Sequence, residues 1–436
     1  MSIQAPTRPR TGLNELNQQN QQNQQNQQSR QNEHAGPRRR RGLSHGPGFW
    51  LIAVAFAVAM AFSAAPTPLY VLYQHRDHFS AFTVSIVFAA YAVGVIISLF
   101  LAGHLSDRWG RRRVLIPALL LEAAAGLVFL AAPALPGLIV ARVVSGLGIG
   151  MITATATAHL GELHATARPG AHRARADLTA TAANLGGLGV GPLVAGLLAE
   201  FVGSPLRTPF LVFIVLLVVA AIGVATVPET VEPAPVRRPY RPQRVAVPAQ
   251  DRPRFFAAAA AAFAAFAILG LFSSLAPGFV AVTMHHPSRA LAGLVAFLAF
   301  GTAAVAQMLL GRAPIEVQSR SGLALTAAGL VVVSAALWLP SLPLFLAGGA
   351  IAGAGAGVLL KVAISMAAEL ASPATRGETL AGLFLGGYVG LTVPVVGVGV
   401  ATLYVSSQTA IGGFAVAMLV LLSVVGQQMP TRRSRG

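Results

Sequence analysis

"GHLSDRWGRRR", residues 103–113, decides how this chain is read. Five charged side chains and a histidine fall within eleven positions. VSIVFAAYAVGVIISLFLA (84–102) leads into them and VLIPALLLEAAAGLVFLAA (114–132) follows. Each flank has the ~20 residues that cross ~30 Å of hydrocarbon at 1.5 Å per residue. Each is apolar all round rather than along one stripe, so it is embedded rather than lying on a surface. A turn this charged between two such runs marks where the chain leaves a membrane and re-enters it.

The same alternation extends along the whole chain. Of 436 residues, 55% are hydrophobic and 10% charged, against about 25% charged in soluble domains. The spacing predicts an all-α membrane protein of twelve transmembrane helices: 49–72, 82–102, 114–132, 137–158, 177–200, 208–227, 255–281, 289–310, 322–339, 343–367, 377–402 and 408–428. Residues 1–48 form a Gln/Asn-rich basic tail too polar to bury a core. Residues 49–227 and 255–428 form two six-helix halves, joined by a Pro/Arg-rich linker at 228–254, and 429–436 is a short tail.

Charge sets the orientation. Segments on the side of the N-terminus carry 26 Arg, the opposite loops carry Arg76, Arg207 and Arg289, and Arg142 and Lys361 lie inside spans. By the positive-inside rule both termini are expected to be cytoplasmic. The net charge of +17 is thus spent on topology and on anionic lipid beside RRRR (38–41) rather than on nucleic acid. A partner-binding role for the tail is the other reading. With no cysteine, disulfides, thiol catalysis and cysteine zinc sites are excluded. The chain has no ATP-binding Gly-rich loop, and no acidic cluster or His pair spaced for metal catalysis, so we expect no enzyme, no metal and no cofactor.

The halves look duplicated. SGLGIGMITATATAHLGEL (145–163) aligns without gaps to AGAGAGVLLKVAISMAAEL (352–370) at an offset of 207, and Gly103 and Gly311 differ by 208. Parallel repeats of this kind place a substrate site at the midplane between halves.

The loop at 103–113 resembles the signature loop of the major facilitator superfamily, through Gly103, Leu105, Asp107, Arg108, Gly110, Arg111, Arg112 and Arg113. ARVVSGLGIG (141–150) resembles the family's fourth-helix pattern. GLGVGPLVAG (187–196), with Gly187, Gly191, Pro192 and Gly196, resembles a fifth-helix pattern associated with proton-coupled exporters. PET (228–230) and APTPLYVLYQ (65–74) resemble segments of bacterial members. The resemblance implies the two-half fold and alternating access. It also implies that Asp107 faces the N-terminus of span eleven as a gate, where the helix dipole favours an anion. Arg108 and Arg112 are then expected to pair with nearby carboxylates, and the matching fourth-helix Arg142 to serve proton coupling.

Other residues carry two readings each. Arg142 and Glu122 differ in depth by ~6 Å on antiparallel helices, as a static buried pair or as a proton switch. Glu162 and Glu369, with Arg168 and Arg376, form a charge relay or stay solvated. Ile315 stands where Asp107 would repeat. Lys361 snorkels or lines a path. Tyr70, Tyr91, Asn184 and Gln307 line a cavity or simply pack. Asp77 is a proton entry site or a loop acid. The expectation is a monomeric transporter in the lipid bilayer that exports a small hydrophobic or amphipathic molecule against protons. Uptake of a metabolite or sugar is the alternative, and a non-transporting sensor is a third class.

Overall fold

The computed structural model describes residues 43–102, 105–231, 249–372 and 375–429. Among these every regular element is helical. Eleven helices are long and apolar enough to cross a membrane: α1 His45–Asp77, α2 Ala81–Ala102, α3 Arg111–Ala131, α4 Leu135–Ala167, α5 Ala174–Phe201, α7 Arg252–Ser274, α8 Arg289–Arg312, α9 Ile315–Trp338, α10 Leu342–Glu369, α11 Gly377–Ala401 and α12 Ser407–Gln428. The sixth, α6 Thr208–Val224, is apolar but only 17 residues long, or ~25 Å at 1.5 Å per residue. Eleven helices thus meet the length of a full span and the twelfth falls just short. Most helices begin before the expected apolar run, because polar residues such as Arg111 and Arg252 already lie in their first turns. The terminal tails and the 232–248 linker lie outside the described residues, as does Gly103.

Alternation puts residue 43, the 105–110 segment, the α4–α5 and α8–α9 connections and residue 429 on one face, here the terminal face. The amide of Leu43 bonds the carbonyl of Thr226 there, at 3.0 Å.

Two helices are broken where proline removes a backbone donor. In α1 the helix stops at Ala64, passes through a tight turn over Thr67–Leu69, and restarts at Tyr70. Pro66 and Pro68 cause the break. In α7 the helix stops at Ser274 beside Pro277. The breaks meet across the halves: Thr67 Oγ1 donates to the Ser273 carbonyl at 2.9 Å.

The duplication is visible in the packing. A Cβ on Gly146 of α4 would strike the Tyr91 carbonyl of α2, and one on Gly150 would lie 3.0 Å from the Val95 carbonyl. In the second half, Gly353 and Gly357 of α10 press on the carbonyls of Ala299 and Ala303 of α8. These are the same crossings, shifted by 207 residues in one helix and 208 in the other. Small residues let membrane helices approach to backbone contact. Gly146→Val therefore forces α2 and α4 apart, and should cost about 1–3 kcal/mol, read as a lowered unfolding temperature of the purified protein in detergent.

Candidate functional site

Three clusters carry the chemistry. The first lies on the terminal face. Gly110, at φ 101°, turns the chain from a short helix, Leu105–Trp109, into α3. Its α-carbon sits under Glu229, where a Cβ would lie 2.5 Å from Oε2. Glu229 accepts the amides of Arg111 at 2.8 Å and Arg112 at 3.1 Å. A carboxylate on the first amides of a helix satisfies orphan donors and meets the positive end of its dipole.

Arg111 is the hub. Its Nη1 donates to Asp107 Oδ1 at 2.5 Å and Ser106 Oγ at 2.8 Å, and its Nη2 to Glu162 Oε1 at 2.6 Å. Thr230 Oγ1 donates to the other Glu162 oxygen at 2.5 Å. Arg112 instead reaches the carbonyls of Ala225 and Val227 past the end of α6. His159, buried on α4, meets the Pro228 carbonyl at 3.1 Å. The start of α3 and the ends of α4 and α6 are thereby tied together. The Asp107 side chain is 65% exposed and that of Glu162 33%, so Glu162 is the less screened partner of Arg111.

This arrangement corrects several expectations. Arg111, not Arg112, binds the carboxylates, because the helix begins at Arg111 and turns that side chain inward. Asp107 makes an ion pair with Arg111; residues 373–374, just before α11, lie outside the described residues. Of the expected relay only Glu162 joins the network. Glu369 and Arg168 are exposed and pair with nothing in it, and the Arg376 side chain lies outside the described residues. Arg108 lies partly buried on the short helix. Glu229 and Thr230 were missed as site residues. Their signal was an acid directly after an apolar run, on the same face as an Arg triplet.

The second cluster lies at depth in the first half. Glu122 is 0% exposed and Arg142 3%. They do not form an ion pair within 4.0 Å, contrary to the static-pair reading. Glu122 Oε2 accepts from Ser145 Oγ at 2.9 Å, while its Oε1 has no partner and rests against Gly148, where a Cβ would lie 2.5 Å away. Arg142 lies one turn of α4 before Ser145. Its Nη1 donates to the Ser63 carbonyl at 2.6 Å, at the end of the first α1 segment, where the prolines interrupt the ladder. Its guanidinium lies over the Tyr91 ring at 4.5 Å and the Phe88 ring at 5.7 Å. Arg142 Nε and the nearby Tyr70 hydroxyl are buried and unbonded. The second half has no counterpart: Gly329 and Gly349 stand 207 residues after Glu122 and Arg142. Gly329 packs directly on Ala352, the residue that corresponds to Ser145.

The third cluster joins the halves at the far face. Glu200 ends α5 and accepts the amide of Arg289, the first residue of α8, at 2.8 Å. Arg289 Nη1 donates back to the Ala199 carbonyl at 3.1 Å. Gly196 and Gly293 bring the two backbones together beneath this clasp. Gly187 and Gly191, from the same motif, press instead on Ala57 and Ala61 of α1. Elsewhere on this face Gly399 of α11 packs on Ser85 of α2. Losing a charged hydrogen bond costs about 1.5–3 kcal/mol, so Glu200→Ala should loosen this face. The chain has no cysteine, which makes Ser273→Cys, buried under the contact, a clean reporter. Its rate of labelling by a water-soluble maleimide should rise about tenfold with Glu200→Ala.

The remaining candidates are spread out. Gln307 spends its amide on the Gly357 carbonyl between α8 and α10 at 3.0 Å, so it is a packing residue. Asn184 lies partly exposed in a wide turn of α5, Ala182–Gly186. Asp77 pairs with Arg76 at the far face. Tyr91 is buried against Arg142.

A bundle of apolar helices in two related sets, with charge buried in one of them, is the architecture of a multi-pass membrane transporter. The Major Facilitator Superfamily profile matches residues 49–313, more than half of the chain, and the chain belongs to that superfamily. Over 83 residues it is 35% identical to the arabinose-proton symporter of Bacillus subtilis (strain 168), covering 19% of this chain and 18% of that one. Over 61 residues it is 36% identical to the bacillibactin exporter of the same organism, covering 14% and 15%. The matches thus span under a fifth of these relatives. In fold, a POT family transporter solved with 5-aminolevulinic acid superposes at a TM-score of 0.71 and 12% identity, over 90% of this chain and 98% of that one. The human organic anion transporter MFSD10 superposes at 0.65 and 15%, over 88% and 100%.

Proposed function

We propose that this protein is a proton-coupled exporter of a small hydrophobic or amphipathic molecule. It works by alternating access in a bacterial plasma membrane, with both termini cytoplasmic. Glu122 and Arg142 carry the reading. Two fully buried chargeable groups, each with an unbonded polar atom, are adjacent without being paired. A charge held at this depth is costly unless it is used. In this reading Glu122 takes up and releases the proton, and Arg142 exchanges the Ser63 carbonyl for another partner as Glu122 changes charge. The broken α1 supplies that carbonyl at the contact between halves, so a proton event is linked to the surface about which the halves rock.

The terminal-face network holds the first half together as it moves, and the far-face clasp is the contact that must open. The energy source is the proton gradient, with no cofactor. Uptake is the second reading, favoured by the partial match to a proton symporter. Everted vesicles made acidic inside, with a pH-sensitive dye, separate the two. Compound-driven proton release that is absent with Arg142→Ala supports export. Silence to lipophilic cations, amphipathic carboxylates, antibiotics and sugars alike would count against it.

A further inference from the structure

We infer that the molecule moved between the halves is an organic anion, an amphipath with a carboxylate or similar group, and that Lys361 recognises its charge. This rests on the transport reading and names the substrate class for it. The argument is an inventory of charge on the four helices that carry the halves' equivalent breaks and glycine seams, α1, α4, α7 and α10. Between their ends these helices hold two formal charges, Arg142 and Lys361, and both are positive. Asp77, Glu162 and Glu369 sit at helix ends, and α7 has no acid between Arg252 and Ser274. Glu122 belongs to α3 and is held there by Ser145 of α4.

Among the described residues neither cation is neutralised by an ion pair. Arg142 meets a carbonyl and aromatic rings. Lys361 is partly buried, and its Nζ makes one hydrogen bond, to the Gly311 carbonyl at 3.0 Å. An ammonium has three donors, so two remain for a ligand. Subtracting the repeat offset of 207 maps Lys361 onto Ala154, which is exposed halfway along α4 although α4 is packed by α1, α2 and α3. The equivalent faces of α4 and α10 therefore look onto the space between the halves. Asp177 of α5 lies within electrostatic reach of Lys361 across that space, but it is exposed and paired with Arg173 at 3.4 Å.

Counted along equivalent helices, Lys361 lies twelve residues nearer the terminal face than Arg142, about 18 Å at 1.5 Å per residue. An anion entering from the terminal face meets Lys361 first and has Arg142, stacked on Tyr91, ahead of it. An amphipathic cation meets no accessible carboxylate on these four helices beyond the entrance, because Glu122, adjacent to Arg142, is 0% exposed on α3 behind Ser145. Lys361 is also the chain's one lysine among 31 basic residues. Its compact, mobile point charge suits a residue that must bind and release.

The test uses two fluorescent amphipaths matched in size, dansyl-6-aminohexanoate and dansylcadaverine, which end in a carboxylate and an ammonium. Binding to the purified full chain in detergent is read by fluorescence anisotropy. The wild type should bind the acid at least about tenfold more tightly than the amine. Lys361→Gln should abolish that preference, Lys361→Arg should keep most of it, and Lys361→Glu should reverse it. Equal affinity for both probes, tighter binding of the amine, or an unchanged preference in Lys361→Gln would overturn the proposal. Binding in detergent needs no gradient, so it separates this proposal from the coupling reading: anion-selective binding without proton movement in vesicles would sink only the latter. The melting temperature of each variant shows that it is folded.

Discussion

Arg142→Ala should cut proton-coupled transport at least about 100-fold while the protein still inserts and folds. The loss has two parts. The Ser63 carbonyl, at a helix break inside the membrane, loses its bond from the guanidinium, and a buried carbonyl left without a partner costs about 1–3 kcal/mol. Glu122 also loses its neighbouring positive charge, and an unpaired carboxylate at that depth is expensive to ionise. Compound-driven proton flux in vesicles should disappear, while binding of an amphipathic probe weakens by much less. Arg142→Lys should restore part of the flux, because it keeps the charge but not the geometry of the guanidinium over Tyr91. Coupled flux in Arg142→Ala at wild-type rate would reduce Arg142 to a packing residue.

The second large effect is expected at Arg111. Its side chain is 10% exposed and serves Asp107, Ser106 and Glu162 at once. Arg111→Ala leaves Glu162 with only Thr230 and loosens the end of α4 from the start of α3. Breaking a buried pair costs about 3–5 kcal/mol. Glu162 is one-third exposed, so about 1–3 kcal/mol is the appropriate figure after screening. The measurement is thermal unfolding in detergent, paired with transport. Arg112→Ala, which removes bonds to two carbonyls and no ion pair, should fall well short of it. Equal losses at the two positions would mean that the triplet acts as undivided positive charge.

Much of the fold was legible before any coordinates, because a membrane leaves few choices. Long apolar runs must be helices. The glycine repeat was equally plain, since a helix crossing that needs glycine in one half needs it again in the other. The break in α1 was not drawn, although Pro66 and Pro68 stood in the sequence. An uninterrupted apolar run over 49–72 outweighed them. Within the site, Arg142 and Glu122 declared themselves by being charged in the wrong solvent. What sequence could not settle was which atoms they touch. Depth along two helices placed them within ~6 Å of each other in height, but rotation about the helix axes turned Glu122 to Ser145 and Arg142 to Ser63. The same ambiguity hid Arg111 among three consecutive arginines, where only the helix start chooses the one that faces inward. Glu229 was read as part of a signature and not as a ligand, because its partners are backbone amides that no side-chain pattern announces.

The claim at the centre of this account is that Glu122 carries a proton that Arg142 senses. Infrared difference spectroscopy of the purified protein across a pH titration reads this directly, by the carbonyl stretch of a protonated carboxylic acid in a dry site. A titrating band is predicted in the wild type, shifted in Arg142→Ala and missing in Glu122→Gln. The account is contradicted if the Glu122→Gln spectrum matches the wild type throughout and that variant still moves protons with its substrate.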